Sequence, residues 1–184
     1  MAGVIVIVAV VVVLVLIFVF SYNGLVRLRT RVDDAWSQID VQLKRRHDLI
    51  PNLIETVKGY AAHEKDTLEN VVQARNQAVA ANGPQQQGQA EGVLTQALGR
   101  LFALAEAYPN LKANENFLNL QEELTSTEDR VAYARQFYND SVMSYNTKIA
   151  SIPSNILAGM FNFTRREFFE ISAPEDRDVP KVQF

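Results

Sequence analysis

The side chains best suited to chemistry are few in this chain, and their spacing does not assemble a site. Histidine occurs twice, at His47 and His63, and cysteine does not occur. These histidines are sixteen positions apart, which places them on nearly opposite faces of a continuous helix, so they cannot share a metal ion there. Glu64 follows His63, but the second histidine of a zinc-protease helix is missing. The sequence therefore predicts no metal-binding residues.

Other familiar patterns of catalysis or ligand binding are also missing from the sequence. No thiol is available as a nucleophile, no glycine-rich phosphate loop follows a strand, and the E-x-x-H signature of carboxylate di-iron bundles does not occur. The net charge of −3 includes no block of like charges that would indicate a nucleic-acid partner. We predict no catalytic residues, no cofactor and no nucleic-acid partner. No small-molecule substrate is identified, and an enzyme is not expected.

The densest group of ionisable residues lies just before the first proline of the chain. Arg45, Arg46, His47 and Asp48 precede Pro51. Because proline lacks an amide hydrogen, it either stands in the first turn of a new helix that Asp48 caps, or kinks a continuous helix. We treat these five residues as a candidate interaction or hinge site. The alternative is a solvated, ion-paired helix face.

The element before this group is an apolar run from Ala2 to Phe20 that contains no charged or polar side chain and no proline. As a helix the run is about 28 Å long, close to the hydrocarbon thickness of a bilayer. We predict residues 1–21 to be an uncleaved anchor, with a cleavable signal peptide or a buried core helix as alternatives. Three arginines follow the run, so the positive-inside rule favours a cytoplasmic soluble domain over the outward orientation.

Beyond the anchor, apolar residues recur at spacings of three and four, the pattern of amphipathic helices. We expect an all-α fold in which the anchor runs into a long antiparallel bundle of three to four long helices over residues 22–152. Residues 22–81 form the outgoing arm, and a polar loop at 82–88 forms the far tip. A sharp fold at Pro51 would instead give a shorter four-helix bundle.

Some polar residues lie on or beside the apolar seam of the last long helix. These residues are Glu128, Arg135, Asn139 and Asn146. Buried there, they could set helix register or oligomeric state. The alternative is that they flank the seam with their polar ends in water.

The end of the chain mixes aromatic and basic residues. We expect residues 153–171 to form a short aromatic helical segment and residues 172–184 an extended tail. The candidate residues for a membrane interface or a partner groove are Phe161, Phe163, Phe168 and Phe169. The alternative is that these rings cap the end of the bundle core. If the two arms match in length, this segment returns to the bilayer surface.

Several stretches of the sequence resemble the LemA family, and together they cover nearly the whole chain past residue 21. These stretches are Tyr22–Val26, Ala35–Leu53, Val57–Glu64, Glu106–Ala113, Tyr138-Asn139, Tyr145-Asn146 and Phe168–Glu170. The resemblance implies a bacterial single-pass membrane protein, in the inner membrane, with a helical soluble domain. No catalytic residues are established for that family, so the resemblance assigns none to this chain.

Two functional hypotheses fit these features. The first is a membrane-anchored scaffold or adaptor that assembles with copies of itself or binds other membrane proteins. The second is a regulatory or sensing module of a membrane signalling or protein quality-control system, with a movable joint near Pro51. In both, the lipid bilayer is a partner of the chain.

Overall fold

The computed structural model describes residues 1–171, and within that range it contains helices and no strand, which confirms the all-α prediction. The helices are α1 Ala2–Lys58, α2 Lys65–Ala80, α3 Gly83–Ala105, α4 Pro109–Lys112, α5 Glu115–Ala150 and α6 Ser154–Met160. The predicted tail at 172–184 lies outside the described residues. The chain divides into two compact units. The anchor unit comprises Met1–Ser37 and Gln136–Glu167, and the bundle unit comprises Gln38–Arg135 and the segment that starts at Phe168.

The first part of α1 is the predicted anchor. Every side chain from Ala2 to Phe20 is exposed, although nearly all of them are apolar. Among the described residues, α1 is the one helix long and apolar enough to cross a membrane. An apolar surface on every face of a helix needs hydrocarbon around it, and within the described residues 1–171 each of these side chains stays exposed. We therefore describe the chain as a membrane protein.

Pro51 lies inside α1, so a continuous helix is observed and not a new helix that starts after Asp48. Proline has no N–H to donate to the carbonyl four residues earlier, which here belongs to His47. Arg75 of α2 donates its Nε–H to that carbonyl oxygen at 2.9 Å. The acceptor freed by the proline is thus satisfied from a neighbouring helix, which removes one main cost of keeping Pro51 in α1.

The outgoing arm breaks at Lys58, so the prediction of one arm over residues 22–81 is wrong. Gly59, a weak helix former, begins a turn in which the amides of Tyr60 and Ala61 both donate to the carbonyl of Val57. Helix α2 then runs back along α1, because Arg75 lies beside His47. The chain does fold back, but eight residues later than Pro51.

The bundle unit is a four-helix arrangement of residues 38–58, α2, α3 and the first part of α5. Successive helices run in opposite directions, with the turn at 59–64 and the turn at 106–114 at the same end. Tyr108 donates its hydroxyl to Glu64 at 2.9 Å, and Asn114 donates its side-chain amide to the Tyr60 hydroxyl at 3.0 Å, which joins these two turns. The core is mainly aliphatic, with Phe117 as an aromatic member; its most fully buried residues include Ile50, Leu53, Val57, Val71, Leu94, Leu101 and Leu111.

The connection between α2 and α3 is shorter than the predicted loop at 82–88. Only Ala81 and Asn82 lie between the helices, and Gly83 begins α3 with φ +79°. Pro84 occupies the first turn of α3, where a missing N–H costs no intrahelical bond. This connection lies at the opposite end of α2 from the turn at 59–64, so Gly83 does not form the tip that the sequence predicted.

The anchor unit pairs the first part of α1 with the last part of α5, in opposite directions. Trp36 packs on Tyr138 with ring centroids 5.3 Å apart, and Ser21 hydrogen-bonds to Ser154 at 2.8 Å. After α6 the chain returns as a segment without helix or strand over residues 163–167. The Asn146 amide forms two hydrogen bonds, both of 2.9 Å, with the backbone of Arg166 in this segment. The seam residue Asn146 therefore fixes the returning segment.

Candidate functional site

The candidate hinge residues separate into a buried pair and an exposed set. Arg46 and His47 are 2% and 7% exposed, and both point into the bundle unit. Arg45, Asp48 and Pro51 are exposed on α1. The Arg45 guanidinium lies 3.8 Å from the Glu123 carboxylate, with both side chains about half exposed. Only two of the five residues thus share one location with a defined set of partners.

Glu91 of α3 is the centre of that location, and it is fully buried. Arg46 donates from Nη1 to Glu91 Oε2 at 3.0 Å, and His47 donates from Nε2 to Oε1 at 2.7 Å. Gln87 donates its side-chain amide to the same Oε1 at 3.0 Å. Three donors converge on one carboxylate, which is the condition under which a buried charge is tolerated. We call Arg46, His47, Gln87 and Glu91 the buried ionic cluster.

Further contacts connect the buried ionic cluster to all four helices of the bundle unit. Arg46 also donates from Nη2 to the Thr95 hydroxyl at 3.0 Å, and the same nitrogen lies 3.9 Å from the Glu128 carboxylate of α5. Gln87 donates to the carbonyl of Ala78 in α2 at 3.0 Å. The cluster therefore fixes how the four helices align along their length, in the way that buried polar residues set register in other helical assemblies.

The chemistry open to the buried ionic cluster is limited by its own hydrogen bonds. The carboxylate of Glu91 is engaged by three donors and shielded from solvent, so it is poorly placed to take a proton from a bound substrate. Among residues 1–171, no group of three or more His, Cys, Asp or Glu side chains lies close enough to hold a metal ion. The arrangement is that of a structural ionic cluster.

Sequence reasoning found Arg46 and His47 but missed Glu91, Gln87 and Arg75. A signal for two of them does exist. The apolar stripe of α3 runs through Leu94, Leu98 and Leu101, and extending its spacing backwards reaches Glu91 and then Gln87. A glutamate on a buried helix face requires a cationic or hydrogen-bonding partner, which a sequence pattern alone does not name.

The four candidate phenylalanines fall in both units. In the anchor unit Phe161 is about half exposed, whereas Phe163 is buried under the Arg29 guanidinium, which lies 5.1 Å from the ring centroid. In the bundle unit Phe168 is about half exposed and Phe169 is fully buried. Phe163 and Phe169 are thus buried in the protein, as the alternative of rings that cap a core would have them. Phe161 and Phe168 remain candidates for a binding surface.

Tyr138 shows how firmly the returning segment of the anchor unit is held. Its hydroxyl donates to the carbonyl of Glu167 at 2.8 Å. Burial raises the pKa of Tyr138 to about 12, because the phenolate would lose its hydration, although the nearby Arg166 guanidinium partly opposes this shift. The neutral hydroxyl therefore persists as a donor throughout the physiological pH range.

The bundle unit also carries a surface groove between α2 and α3. Its lining is rich in uncharged amide and hydroxyl side chains, and its one ionisable member is Arg100. The lining residues are Thr67, Asn70, Gln73, Ala74, Gln77, Val93, Gln96, Ala97 and Arg100. Such side chains offer many donors and acceptors without the desolvation cost of a charge, so the groove suits a polar protein surface.

Comparisons with known proteins agree on one family. The chain is 28% identical to magnetosome protein MamQ 2 of Paramagnetospirillum magneticum over an alignment that covers 86% of this chain and 68% of that protein. It is 27% identical to protein LemA of Metamycoplasma hominis over 161 residues, which cover 85% of this chain and 72% of that protein. The model of the LemA family matches residues 35–184, most of the sequence, and the chain therefore belongs to the LemA family.

Proposed function

We propose that the chain is a membrane-anchored helical scaffold that binds partner proteins, or further copies of itself, through the outer faces of its bundle unit. One observation carries the proposal. The residues best suited to chemistry, Arg46, His47 and Glu91, bind one another inside the helices and are closed to solvent. What the bundle unit offers to other molecules is therefore its helical surface.

The groove between α2 and α3 is the surface that suits a partner best. It lies between two antiparallel helices that a core of aliphatic side chains holds in place. A rigid groove binds with little loss of conformational entropy on the scaffold side.

We infer that the soluble part faces the cytoplasm of a bacterial cell, with the anchor in the inner membrane. Arg27, Arg29 and Arg31 follow the apolar run within about one helical turn of one another and are exposed. Positive charge next to a membrane span is retained on the cytoplasmic side, because its translocation is disfavoured.

Photo-cross-linking in intact cells tests the scaffold proposal. A photoreactive amino acid replaces one exposed residue at a time: Gln77 or Arg100 on the two sides of the groove, and Asp40 on α1 as the matched control. We expect Gln77 and Arg100 to give adducts of the same mass, since they face one groove, and Asp40 to give none of that mass.

Two outcomes would count against the proposal. If neither groove position nor any other exposed position on the bundle helices gives an adduct above the dark control, the scaffold role is wrong. If Asp40 gives the same adduct as Gln77, the groove is not the binding surface.

A further inference from the structure

Within the anchor unit, the residues around α6 contact the end of the membrane anchor. Within the anchor unit, Ser154 at the start of α6 hydrogen-bonds to Ser21, and both side chains are buried. Phe161, just after α6, packs edge-on against Phe18 and Tyr22, with ring centroids 6.1 and 5.0 Å apart. The helix therefore lies alongside the end of the apolar run.

These contacts fix the depth of α6 relative to the anchor. Ser21 is the first polar side chain after the apolar run, so it marks the end of the segment that fits the hydrocarbon. Phe18 lies about one helical turn inside that end. A ring in contact with Phe18 shares its environment, which places Phe161 in the boundary layer of the same bilayer.

The outer face of α6 and its flanks is apolar and open. Ile152 is 83% exposed, Ile156 62% and Met160 68%. Their spacing of four residues places Ile156 and Met160 on one side of α6, and Ile152 precedes the helix by two residues. These side chains and the half-exposed Phe161 make an apolar edge on a segment that contacts the anchor, and apolar surface of this kind is costly to leave in water.

A cation also lies just beyond the end of the apolar run. Arg27 is exposed on α1, six residues after Ser21, which is about 9 Å along the helix. Apolar and aromatic side chains next to cations are the composition of segments that lie in a membrane interface, with the cations among the lipid headgroups.

We propose that α6, with Ile152 and Phe161, lies in the interface of the bilayer that α1 crosses and immerses its apolar edge among the upper acyl chains. The occupant of this surface is lipid, because the contacts of Ser154 and Phe161 bring the surface to the depth of the anchor itself. The anchor unit would thus contact the bilayer through two elements, α1 and α6. This second attachment restricts the tilt of α1 and does not depend on whether the bundle unit binds a partner.

Site-specific fluorescence in vesicles tests this proposal, and the natural absence of cysteine makes single labels simple. Ile156→Cys carries an environment-sensitive label on the full chain, reconstituted in phosphatidylcholine and phosphatidylglycerol vesicles. Met143→Cys is the matched control, since Met143 is also exposed in the anchor unit, on α5. The pairing of α1 with α5 places it about 15 Å further from Ser21. Val12→Cys in the anchor reports that the span has inserted.

Lipids with a spin label near the headgroup should quench the label at position 156 at least threefold more than the label at position 143, with a blue-shifted emission only at 156. Equal, weak quenching at both positions would overturn the proposal. A blue shift at 156 without quenching by lipid would also overturn it, because protein would then cover this edge.

Discussion

Replacement of Glu91 by alanine is expected to destabilise the folded chain by about 3–5 kcal/mol, the cost of leaving a buried charge without its partner. Arg46 would keep only Thr95 and the distant, half-exposed Glu128 as partners, and the His47 ring and Gln87 amide would each lose an acceptor. Urea unfolding of the full chain in detergent micelles, followed by circular dichroism, measures this loss.

Glu123→Ala is the matched control for Glu91→Ala. It also removes a glutamate that faces an arginine of α1, but Arg45 and Glu123 are about half exposed and 3.8 Å apart. Pairs of that kind contribute about 0–1 kcal/mol, so the unfolding midpoint should barely move. If the two variants lost the same stability, the buried ionic cluster would not hold the bundle unit together.

The combination Arg46→Met with Glu91→Leu separates charge from packing. Removing both charges leaves no unpaired ion and keeps the volume of the interior, so the double variant should be more stable than the sum of its single variants predicts. We expect a coupling free energy of about 1–3 kcal/mol. Additive losses would mean that Arg46 and Glu91 act independently.

Gly88→Ala is expected to release the segment around Phe169 from the bundle unit. A Cβ at position 88 would lie 2.0 Å from the carbonyl oxygen and 2.8 Å from the carbonyl carbon of Glu170, and this clash is with backbone. The segment must move away and expose Phe169, whose burial contributes about 1.5–3 kcal/mol. Alanine stabilises the helix by about 1 kcal/mol relative to glycine, so the net loss is about 0.5–2 kcal/mol.

Gly99→Ala is the control, because Gly99 lies on the same helix and nothing lies within 4 Å of its Cβ position. This variant should gain about 1 kcal/mol. Limited chymotrypsin digestion gives the second measurement: cleavage after Phe168 and Phe169 should accelerate in Gly88→Ala and stay unchanged in Gly99→Ala. If Gly88→Ala stabilised the chain as much as Gly99→Ala does, the segment would not rest on Gly88.

Much of the fold could be predicted from apolar spacing, but the end of α1 could not. Val57, Ala61 and Leu68 are all buried, and their spacings of four and seven residues look like one uninterrupted helix face. The chain nevertheless leaves the helix between Lys58 and Lys65. A turn that keeps its apolar residues in the core preserves the periodic signal, so the spacing does not reveal the break.

At Pro51 the sequence left two alternatives open, a helix that ends before the proline and a helix that continues through it. Whether a proline ends a helix depends on what becomes of the carbonyl that it leaves without a donor. Here the answer comes from Arg75, which is 28 residues from His47 in the sequence. Glu91 is likewise 45 residues from Arg46. Residue type indicated which side chains of α1 were candidates for a site. Their partners depend on how the helices fold back, which the sequence pattern does not show.

We propose that this LemA-family chain holds partner proteins, or further copies of itself, at the membrane. Native mass spectrometry of the full chain, extracted from its own bacterial membranes into lipid nanodiscs, tests it most directly. We predict particles whose protein mass exceeds that of one chain, either as a whole multiple or by the mass of a bound partner, and which persist on dilution. Particles that contain one chain and no other protein at every concentration would contradict the claim.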